Sequence, residues 1–295
     1  MPFHAEEHAR IVSVERLRPG DHAFASYTDE ESRWATIGSF TQTGISRGER
    51  VLLFADPALP ETTVLEHLEA YGPPVGPPLE CGQLKLLTMD QMWRPATISV
   101  ERQMAGLRRE VEEALDEGYA TVRSAIDMAW VASYGADIER VLWRESEGCH
   151  PLFADAHYTE ICTYDETRFD DDVLGRAAVG HPTALLRRPG TLLARPFTED
   201  GERDTYGLRL VGEADLSTRE EFNDALRRVA DSAAPRVVLD LTELSFLDVY
   251  CARAVLLLAA ADEAKHLVIR CGGIHAHTFL LLGALDIPQL TVEGE

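Results

Sequence analysis

The sequence predicts an α/β protein of two domains, with a mainly parallel sheet in the first. The chain has 295 residues, a length that suggests two domains. Short apolar runs alternate with amphipathic stretches over residues 22–180, a pattern typical of parallel strands joined by helices. The pattern changes after a basic pair followed by Pro189 and Gly190, which favours a linker. We therefore assign residues 1–183 to a first domain, 184–191 to a linker and 192–295 to a second domain.

Strands and helices alternate through the first domain. Trp34, Ile37 and Phe40 recur at helical spacing and form one apolar face. Gly72 and Pro73 end a later helix, because neither residue continues a helix cheaply. The predicted strands are residues 22–27, 50–55, 84–87, 121–126 and 158–164. The predicted helices are residues 32–46, 61–71, 98–117 and 136–147. This alternation predicts a sheet with helices on both faces.

The second domain begins with two strands and then alternates helix and strand. A continuous apolar run at residues 236–241 is typical of a buried central strand. It leads through a polar turn into an apolar helix. The predicted strands are residues 192–197, 206–212, 236–241, 267–270 and 290–292. The predicted helices are residues 218–231, 250–264 and 276–284.

The charge of the chain limits its partners. It has 50 acidic and 28 basic residues, a formal charge of -22. Such a field repels nucleic acid and anionic membranes, so we expect soluble protein partners. No apolar run approaches the roughly 18 residues of a membrane span, and the N-terminus does not resemble a signal peptide. The five scattered cysteines favour reduced thiols, and we expect a bacterial cytoplasmic location.

Five segments of the first domain occur in the order and spacing of a known family. They are residues 21–27, 47–53, 127–130, 162–165 and 180–182. Together they resemble the MEDS domain, a bacterial sensory module. The resemblance implies a RecA- or KaiC-like α/β core with a sensing role, without naming the small molecule that it binds.

Three segments of the second domain carry another resemblance. Residues 210–218 include the run Gly-Glu-Ala-Asp-Leu, residues 237–241 form the central strand, and residues 246–248 lead into the following turn. They resemble the STAS domain of anti-sigma factor antagonists. The resemblance implies a STAS α/β fold that binds an anti-sigma factor or a related kinase-fold protein. A homodimer is a further possibility.

The turn after the central strand departs from the STAS pattern. In that family it reads Asp-Ser-Ser-Gly, and a partner kinase phosphorylates the second serine. Here the turn reads Asp248-Val249-Tyr250-Cys251, with Tyr250 at the serine position. We expect Asp248 to cap the next helix, and we expect no phosphorylation of this turn. The candidate partner-binding residues are Asp215, Asp248, Val249, Tyr250 and Cys251.

Several polar and aromatic residues of the first domain sit at or just beyond predicted strand ends. Ligands of open α/β sheets bind at such ends, so these residues are candidates for one small-molecule pocket. They are His22, Tyr27, Asp127, Trp130, Tyr164 and His181.

The first strand-to-helix turn argues against ATP hydrolysis. Residues 26–32 contain no glycine and no lysine but three acidic residues, so they do not form a phosphate-binding P-loop. Asp127 ends an apolar strand, and capping of a helix is its expected role.

No metal or other cofactor is expected, because Cys149, His150, His157 and Cys162 match no standard zinc spacing. The sequence thus favours a cytoplasmic signalling regulator that is not an enzyme. The alternatives are a STAS scaffold or oligomerisation protein in a stress-signalling complex, and a ligand-binding enzyme on the RecA-like core.

Overall fold

The computed structural model describes residues 10–89, 99–186, 190–198 and 204–294. The chain divides into two compact units, Met1–Arg188 and Pro189–Glu295. Each unit has its own sheet, with helices as connections.

The N-terminal unit is built on a sheet of seven parallel strands. They are β1 (Arg10–Val12), β2 (His22–Tyr27), β3 (Arg50–Phe54), β4 (Leu84–Leu87), β5 (Val122–Asp127), β6 (Tyr158–Asp165) and β7 (Thr183–Leu185). Their order across the sheet is β1-β7-β2-β6-β5-β3-β4, and every pairing is parallel. The predicted parallel α/β class is confirmed.

The two shortest strands were not predicted. β1 and β7 have three residues each, too few for a periodic pattern to stand out. β7 contains Ala184 and Leu185, which we expected to open the linker. They belong to the sheet instead, since Ala184 pairs with both Ile11 of β1 and Phe24 of β2.

Helices cover both faces of this sheet. They are α1 (Glu30–Ser46), α2 (Glu61–Glu69), α3 (Gly76–Glu80), α4 (Val100–Asp116), α5 (Trp130–Ser133), α6 (Ile138–Trp143) and α7 (Asp171–Gly180). Short 3-10 turns occur at Val14–Arg16 and His150–Leu152. The helix predicted at 136–147 is α-helical only through Trp143, and Arg144–Gly148 continue as a π-helical turn. This turn holds two buried charged side chains, Arg144 and Glu145.

Successive residues of the central strands face two different cores. Phe24 of β2 and Cys162 of β6 belong to a core that includes side chains of α4 and α6. Ala23 and Ile161, their neighbours in sequence, belong to the core that α1 and α2 cover. The alternation follows from the period of two residues in a strand.

The C-terminal unit has a mixed sheet of five strands. They are β8 (Leu192–Phe197), β9 (Thr205–Ala214), β10 (Arg236–Leu247), β11 (His266–Cys271) and β12 (Leu290–Gly294), in the order β12-β11-β10-β9-β8. Only β8 runs antiparallel to its neighbour. The helices are α8 (Arg219–Asp231), α9 (Val249–Ala261) and α10 (Gly273–Leu281), and a 3-10 turn follows at Ala284–Asp286.

The central strand β10 is longer than expected. It was predicted to end at residue 241 but continues to Leu247, because it stays paired with β9 as far as Ala214. Register shifts between Asp240 and Glu243 and between Leu244 and Phe246 interrupt the alternation of apolar and polar residues. The sequence pattern of a strand therefore ends before the strand itself ends. Within the described ranges, no helix combines the length and the apolar character that crossing a bilayer requires.

Candidate functional site

The predicted STAS turn lies between β10 and α9. The backbone N–H of Asp248 donates to the carbonyl of Ala214 at 2.9 Å, which joins the ends of β9 and β10. Asp248 is the N-cap of α9, and its carboxylate accepts from the backbone N–H of Cys251 at 2.7 Å. The predicted cap is confirmed. It satisfies one of the free N–H groups at the helix start and places a negative charge at the positive end of the helix dipole.

The first residues of α9 are exposed and apolar. Val249 is 57% exposed and Tyr250 is 48% exposed. Leu216, after β9, and Phe246, near the end of β10, are also exposed. Leu216, Phe246, Val249 and Tyr250, here called the turn surface, all lie at the carboxyl ends of two neighbouring strands. Exposed apolar side chains gathered in this way are typical of protein-interaction sites.

Charged residues flank the turn surface. Arg219, the first residue of α8, places its guanidinium carbon 3.9 Å from the centroid of the Tyr250 ring. The same side chain lies 3.5 Å from the carboxylate of Asp248. Asp215 accepts hydrogen bonds from the backbone and hydroxyl of Ser217 at 2.8 and 2.7 Å, and these bonds lower the pKa of its carboxyl. The surface thus combines an aromatic ring, a cation and two carboxylates.

One predicted contact residue is not at the surface. Cys251 occupies the third position of α9 and is fully buried in the C-terminal core. Burial raises the pKa of its thiol to about 12. Cys251 therefore packs the domain and cannot touch a partner. Nearby hydroxyls are also engaged, since Ser245 donates to the carbonyl of Gly212 and Thr242 donates to Asp240.

The six predicted pocket residues do not form one pocket. Tyr27 and Asp127 face α1, where Arg33 donates from Nε to Asp127 at 2.8 Å and the Tyr27 hydroxyl lies 3.4 Å from the same carboxylate. The other four, His22, Trp130, Tyr164 and His181, lie on the opposite side of the sheet. There the His181 ring contacts the rings of His22 and Tyr164, and Trp130 packs in the same core as Tyr164. The sheet itself separates the two groups, because odd and even positions of a strand point to opposite faces.

The group around Asp127 is a buried ion pair. Asp127 is fully buried, and burial raises the pKa of its carboxyl although the charge of Arg33 opposes the shift. Asp127 also accepts from the backbone N–H of Ala129 at 2.9 Å. The expected role as helix cap is wrong, because Ala129 is the N-cap of α5 and no side chain caps that helix. This ion pair connects α1, which contains Arg33, to the end of β5, which contains Asp127.

Two surface cavities lie elsewhere. One of about 400 Å³ is lined by α1 residues such as Gln42 together with Tyr71. The other, of about 380 Å³, is lined by Arg140, Trp143 and the start of α4. None of the six predicted pocket residues lines either cavity.

A buried cluster of metal-capable side chains lies beside β2 and β6. It consists of His22, Glu145, Cys162 and His181, here called the histidine cluster, and one ligand-capable atom of each lies within 4.8 Å of those of the others. All four residues are buried. They come from the start of β2, the π-helical turn, the middle of β6 and the residue after α7.

Glu145 Oε2 lies at the centre of the histidine cluster. It is 3.1 Å from His22 Nε2, 3.1 Å from His181 Nε2 and 3.3 Å from Cys162 Sγ. Cys162 Sγ in turn lies 3.8 Å from His22 Nε2. Three potential donors or ligands from three other segments therefore converge on one carboxylate oxygen.

Arg144 compensates the negative charge of this region. Its guanidinium contacts Glu145 at 2.9 Å and Glu160 at 2.6 Å. Burial alone would raise the pKa of Glu160, but the charge of Arg144 lowers it to about 2. The charge of Arg144 likewise holds the pKa of Glu145 well below its usual value, against the effect of burial. Both carboxylates are therefore ionised in the folded protein.

The surroundings shift the pKa values of the two histidines in opposite directions. Burial alone would lower the pKa of His22, but hydrogen bonds with Cys149, Cys162 and both carboxylates raise it well above its usual value. Burial and the charge of His22 lower the pKa of His181. Of the four metal-capable residues in the sequence between 149 and 162, Cys149 and Cys162 contact His22, whereas His150 and His157 are exposed.

Comparison with known families identifies both parts of the chain. The family model described as "MEthanogen/methylotroph, DcmR Sensory domain" (MEDS) matches residues 21–182. The chain belongs to the MEDS family. A second model, described as "Mlab, STAS domain", matches residues 197–291. The chain is therefore a STAS regulator linked to a sensory domain, and both predicted resemblances are confirmed.

The MEDS match contains every residue of the histidine cluster, and the STAS match contains the whole turn surface. Among solved structures, the chain is similar to the flagellar accessory protein FlaH from Methanocaldococcus jannaschii. The identity is 10% and the TM-score 0.42, over 63% of this chain and 76% of that one. No curated protein matches the sequence.

The sequence pointed to only part of the histidine cluster. His22 and His181 are predicted pocket residues because they lie at strand ends, and Cys162 fits no zinc spacing in the sequence. Glu145 was missed, because a single glutamate in an amphipathic stretch carries no signal of its own. These residues lie in segments that are distant in the sequence, so no local spacing could bring them together.

Proposed function

We propose that this protein is a cytoplasmic signalling regulator whose STAS domain binds an anti-sigma factor of the kinase-fold class. In this proposal the MEDS domain senses a ligand, and the STAS turn is not phosphorylated. The observation that carries the proposal is the exposed pair Val249 and Tyr250 at the start of a capped helix, where the family has its serines.

The turn surface has the composition of a docking site. Tyr250 supplies a large amphipathic ring. The guanidinium group of Arg219 lies over that ring and also contacts the carboxylate of Asp248. Aromatic residues and arginine are enriched at protein interfaces, where a few buried anchors supply most of the binding energy. We infer that Tyr250 is such an anchor and that its partner presents an apolar seat for the ring.

The same residues argue for a switch other than phosphate. The first turn of α9 contains Val249, Tyr250 and Cys251, so a serine kinase has no acceptor there. The hydroxyls of Ser245 and Thr242 already donate hydrogen bonds within the domain. The input would then come from the MEDS domain. A ligand could control binding only through its different affinities for the bound and free states of the protein.

The decisive experiment compares two charge insertions in the full chain. Tyr250→Asp places a carboxylate in the first turn of α9, and Ile274→Asp places one in the first turn of α10, where Ile274 is 80% exposed. Binding to purified anti-sigma kinases from the same genome would be measured by calorimetry. We expect Tyr250→Asp to weaken binding about tenfold or more, a loss of roughly 1.4 kcal/mol, and Ile274→Asp to leave it unchanged. Equal affinities for both variants and the parent would reject the turn surface as the docking site.

A second candidate function is self-association through α10. Ile274 and Leu281 are separated by two helical turns, lie on one face, and are both largely exposed, as is Leu285 just beyond. This apolar stripe favours the scaffold alternative. In light scattering, the parent would then form a dimer that Ile274→Asp dissociates, whereas a monomeric parent at high concentration would exclude it.

A further inference from the structure

We propose that the histidine cluster is a binding site for a divalent transition-metal ion of the zinc class. The ligands would be His22 Nε2, His181 Nε2, Cys162 Sγ and one oxygen of Glu145. The inference does not depend on the partner of the STAS turn, since it concerns only side chains inside the MEDS domain.

The hydrogen bond of His181 determines which nitrogen is available to a metal. Its Nδ1 lies 2.7 Å from the carbonyl oxygen of Ala177. A carbonyl can only accept, so Nδ1 carries the proton, and in a neutral ring Nε2 then presents a lone pair. Metal-binding histidines are held in this way, with the other ring nitrogen donating to a carbonyl or carboxylate.

The Nε2 atom of His181 lies beside another acceptor without bonding to it. His181 Nε2 is buried and makes no hydrogen bond, although Glu145 Oε2 lies only 3.1 Å away. Two acceptors at that distance repel each other unless a proton or a cation lies between them. A buried polar atom without a partner destabilises the folded protein. A metal ion bound to both atoms would remove that destabilisation.

The distances fit four ligands around one ion. Zinc bonds of about 2.0–2.3 Å in a tetrahedron place neighbouring ligand atoms roughly 3.3–3.6 Å apart. Here the separations are 3.1 Å for each histidine nitrogen from Glu145 Oε2, 3.3 Å for Cys162 Sγ from the same oxygen and 3.8 Å for Cys162 Sγ from His22 Nε2. The remaining pairs of ligand atoms lie within 4.8 Å of each other, so shifts of up to about 1 Å would close the four side chains around one ion.

The charges around the cluster balance with a divalent ion bound. Glu145 and Glu160 contribute two negative charges, Arg144 one positive charge, and a Cys162 thiolate one further negative charge. A divalent cation brings the sum to zero. The thiol proton and the proton on His22 Nε2 would leave to solvent as the ion binds, because a metal takes the thiolate and a neutral imidazole.

The ligand types favour one class of metal. Imidazole and thiolate suit zinc and related transition metals, whereas calcium and magnesium require sites made of oxygen atoms. All four ligands come from the protein and are buried, which is typical of a closed structural site. Such an ion would hold β2, the π-helical turn, β6 and the end of α7 together.

Cobalt provides a spectroscopic test on the full chain. The purified protein would be dialysed against a chelator and titrated with Co²⁺, then with Zn²⁺. We expect one equivalent to bind, with the intense visible bands of four-coordinate cobalt and a thiolate charge-transfer band, both lost when Zn²⁺ displaces Co²⁺. A parent protein without these bands overturns the proposal, and this readout needs no variant to fold.

Matched variants test which side chains bind the ion. We expect Cys162→Ser to abolish the charge-transfer band and His181→Gln to weaken Co²⁺ binding by more than about 100-fold, beyond the 10- to 100-fold range of second-shell changes. Cys81→Ser and His157→Ala alter exposed residues outside the cluster and should leave the titration unchanged. A band that survives Cys162→Ser but disappears in Cys81→Ser would also overturn the proposal. Circular dichroism would verify that each variant is folded.

Discussion

The guanidinium group of Arg219 stacks on the ring of Tyr250, 3.9 Å from its centroid, and lies 3.5 Å from the carboxylate of Asp248. One side chain at the start of α8 therefore orients the exposed ring at the start of α9. A ring that is already oriented loses less conformational entropy when a partner binds.

Replacing Arg219 should affect binding more than stability. We expect Arg219→Ala to cost about 1 kcal/mol or less in folding free energy, as for partly exposed cation–π contacts and ion pairs. Partner affinity should fall several-fold, because the Tyr250 ring is no longer held. Urea denaturation and calorimetry measure the two effects. Arg227→Ala, on the exposed side of the same helix, is the control. A drop in stability with unchanged affinity would contradict the role of Arg219.

The cap of α9 is open to a direct test. Asp248→Ala removes the acceptor for the Cys251 N–H and should destabilise the domain by about 1 kcal/mol, within the usual range for N-cap substitutions. Asp248→Asn keeps an oxygen acceptor and should lose clearly less. Urea denaturation compares the three proteins. If alanine and asparagine were equally destabilising, the charge of Asp248 rather than its hydrogen bond would be responsible.

Arg144 is the main compensating charge of the buried acidic residues. Arg144→Met keeps much of the side-chain volume but leaves Glu145 and Glu160 without their cation, so we expect a loss of roughly 3–5 kcal/mol, as for other broken buried pairs. The melting temperature and the urea midpoint report this loss.

Arg176 serves as an exposed control for the buried Arg144. Like Arg144, it forms an ion pair with a glutamate, Glu139, but both side chains of this pair are exposed. Arg176→Met should therefore leave the midpoint nearly unchanged. Comparable losses in the two variants would mean that the burial of Arg144 is unimportant.

The five thiols should differ sharply in reactivity. Cys81 is exposed, whereas the other four cysteines are buried. Burial raises the pKa of Cys251 to about 12 and that of Cys271 to about 11, so both remain protonated, and hence poor nucleophiles, at pH 9. We expect iodoacetamide to label one thiol of the native chain, Cys81, much faster than the other four.

Peptide mass spectrometry identifies the labelled residue. Cys81→Ser should abolish the fast reaction, and denaturant should expose the remaining thiols. Rapid labelling of Cys251 in the native protein would contradict its burial behind the turn surface and would restore it as a possible contact residue.

Contacts between residues that are close in the sequence were easier to predict than contacts between residues that are far apart in it. The Asp248 cap was predictable, because the acceptor and the helix start are adjacent residues. Cys251 was misplaced, because α9 begins at Val249, one residue earlier than expected, and the third position of the helix faces the core. A shift of one residue rotates a helix position by about 100°.

The histidine cluster shows the opposite case. His22 and His181 lie near the two ends of the MEDS domain and meet only because β7 pairs with β2. Glu145 points into the cluster from a π-helical turn, where the α-helical period used for prediction does not apply. Neither the order of strands in a sheet nor a π-helical turn can be predicted from local sequence patterns. The histidine cluster depends on both, so its four residues could not be grouped from the sequence.

The first turn of the MEDS domain leads to a prediction about nucleotides. A P-loop uses free N–H groups at a helix start to hold phosphate. Here Asp29 occupies that position and accepts from the backbone N–H of Ser32 at 2.8 Å, and Glu30 and Glu31 add negative charge. Arg33, the nearest cation in the helix, is already paired with Asp127. We therefore expect no release of phosphate from Mg-ATP above a blank and no saturable binding of a fluorescent ATP analogue. The alternative of an enzyme on this core would gain support from magnesium-dependent ATP hydrolysis that stays with the protein through successive purification steps.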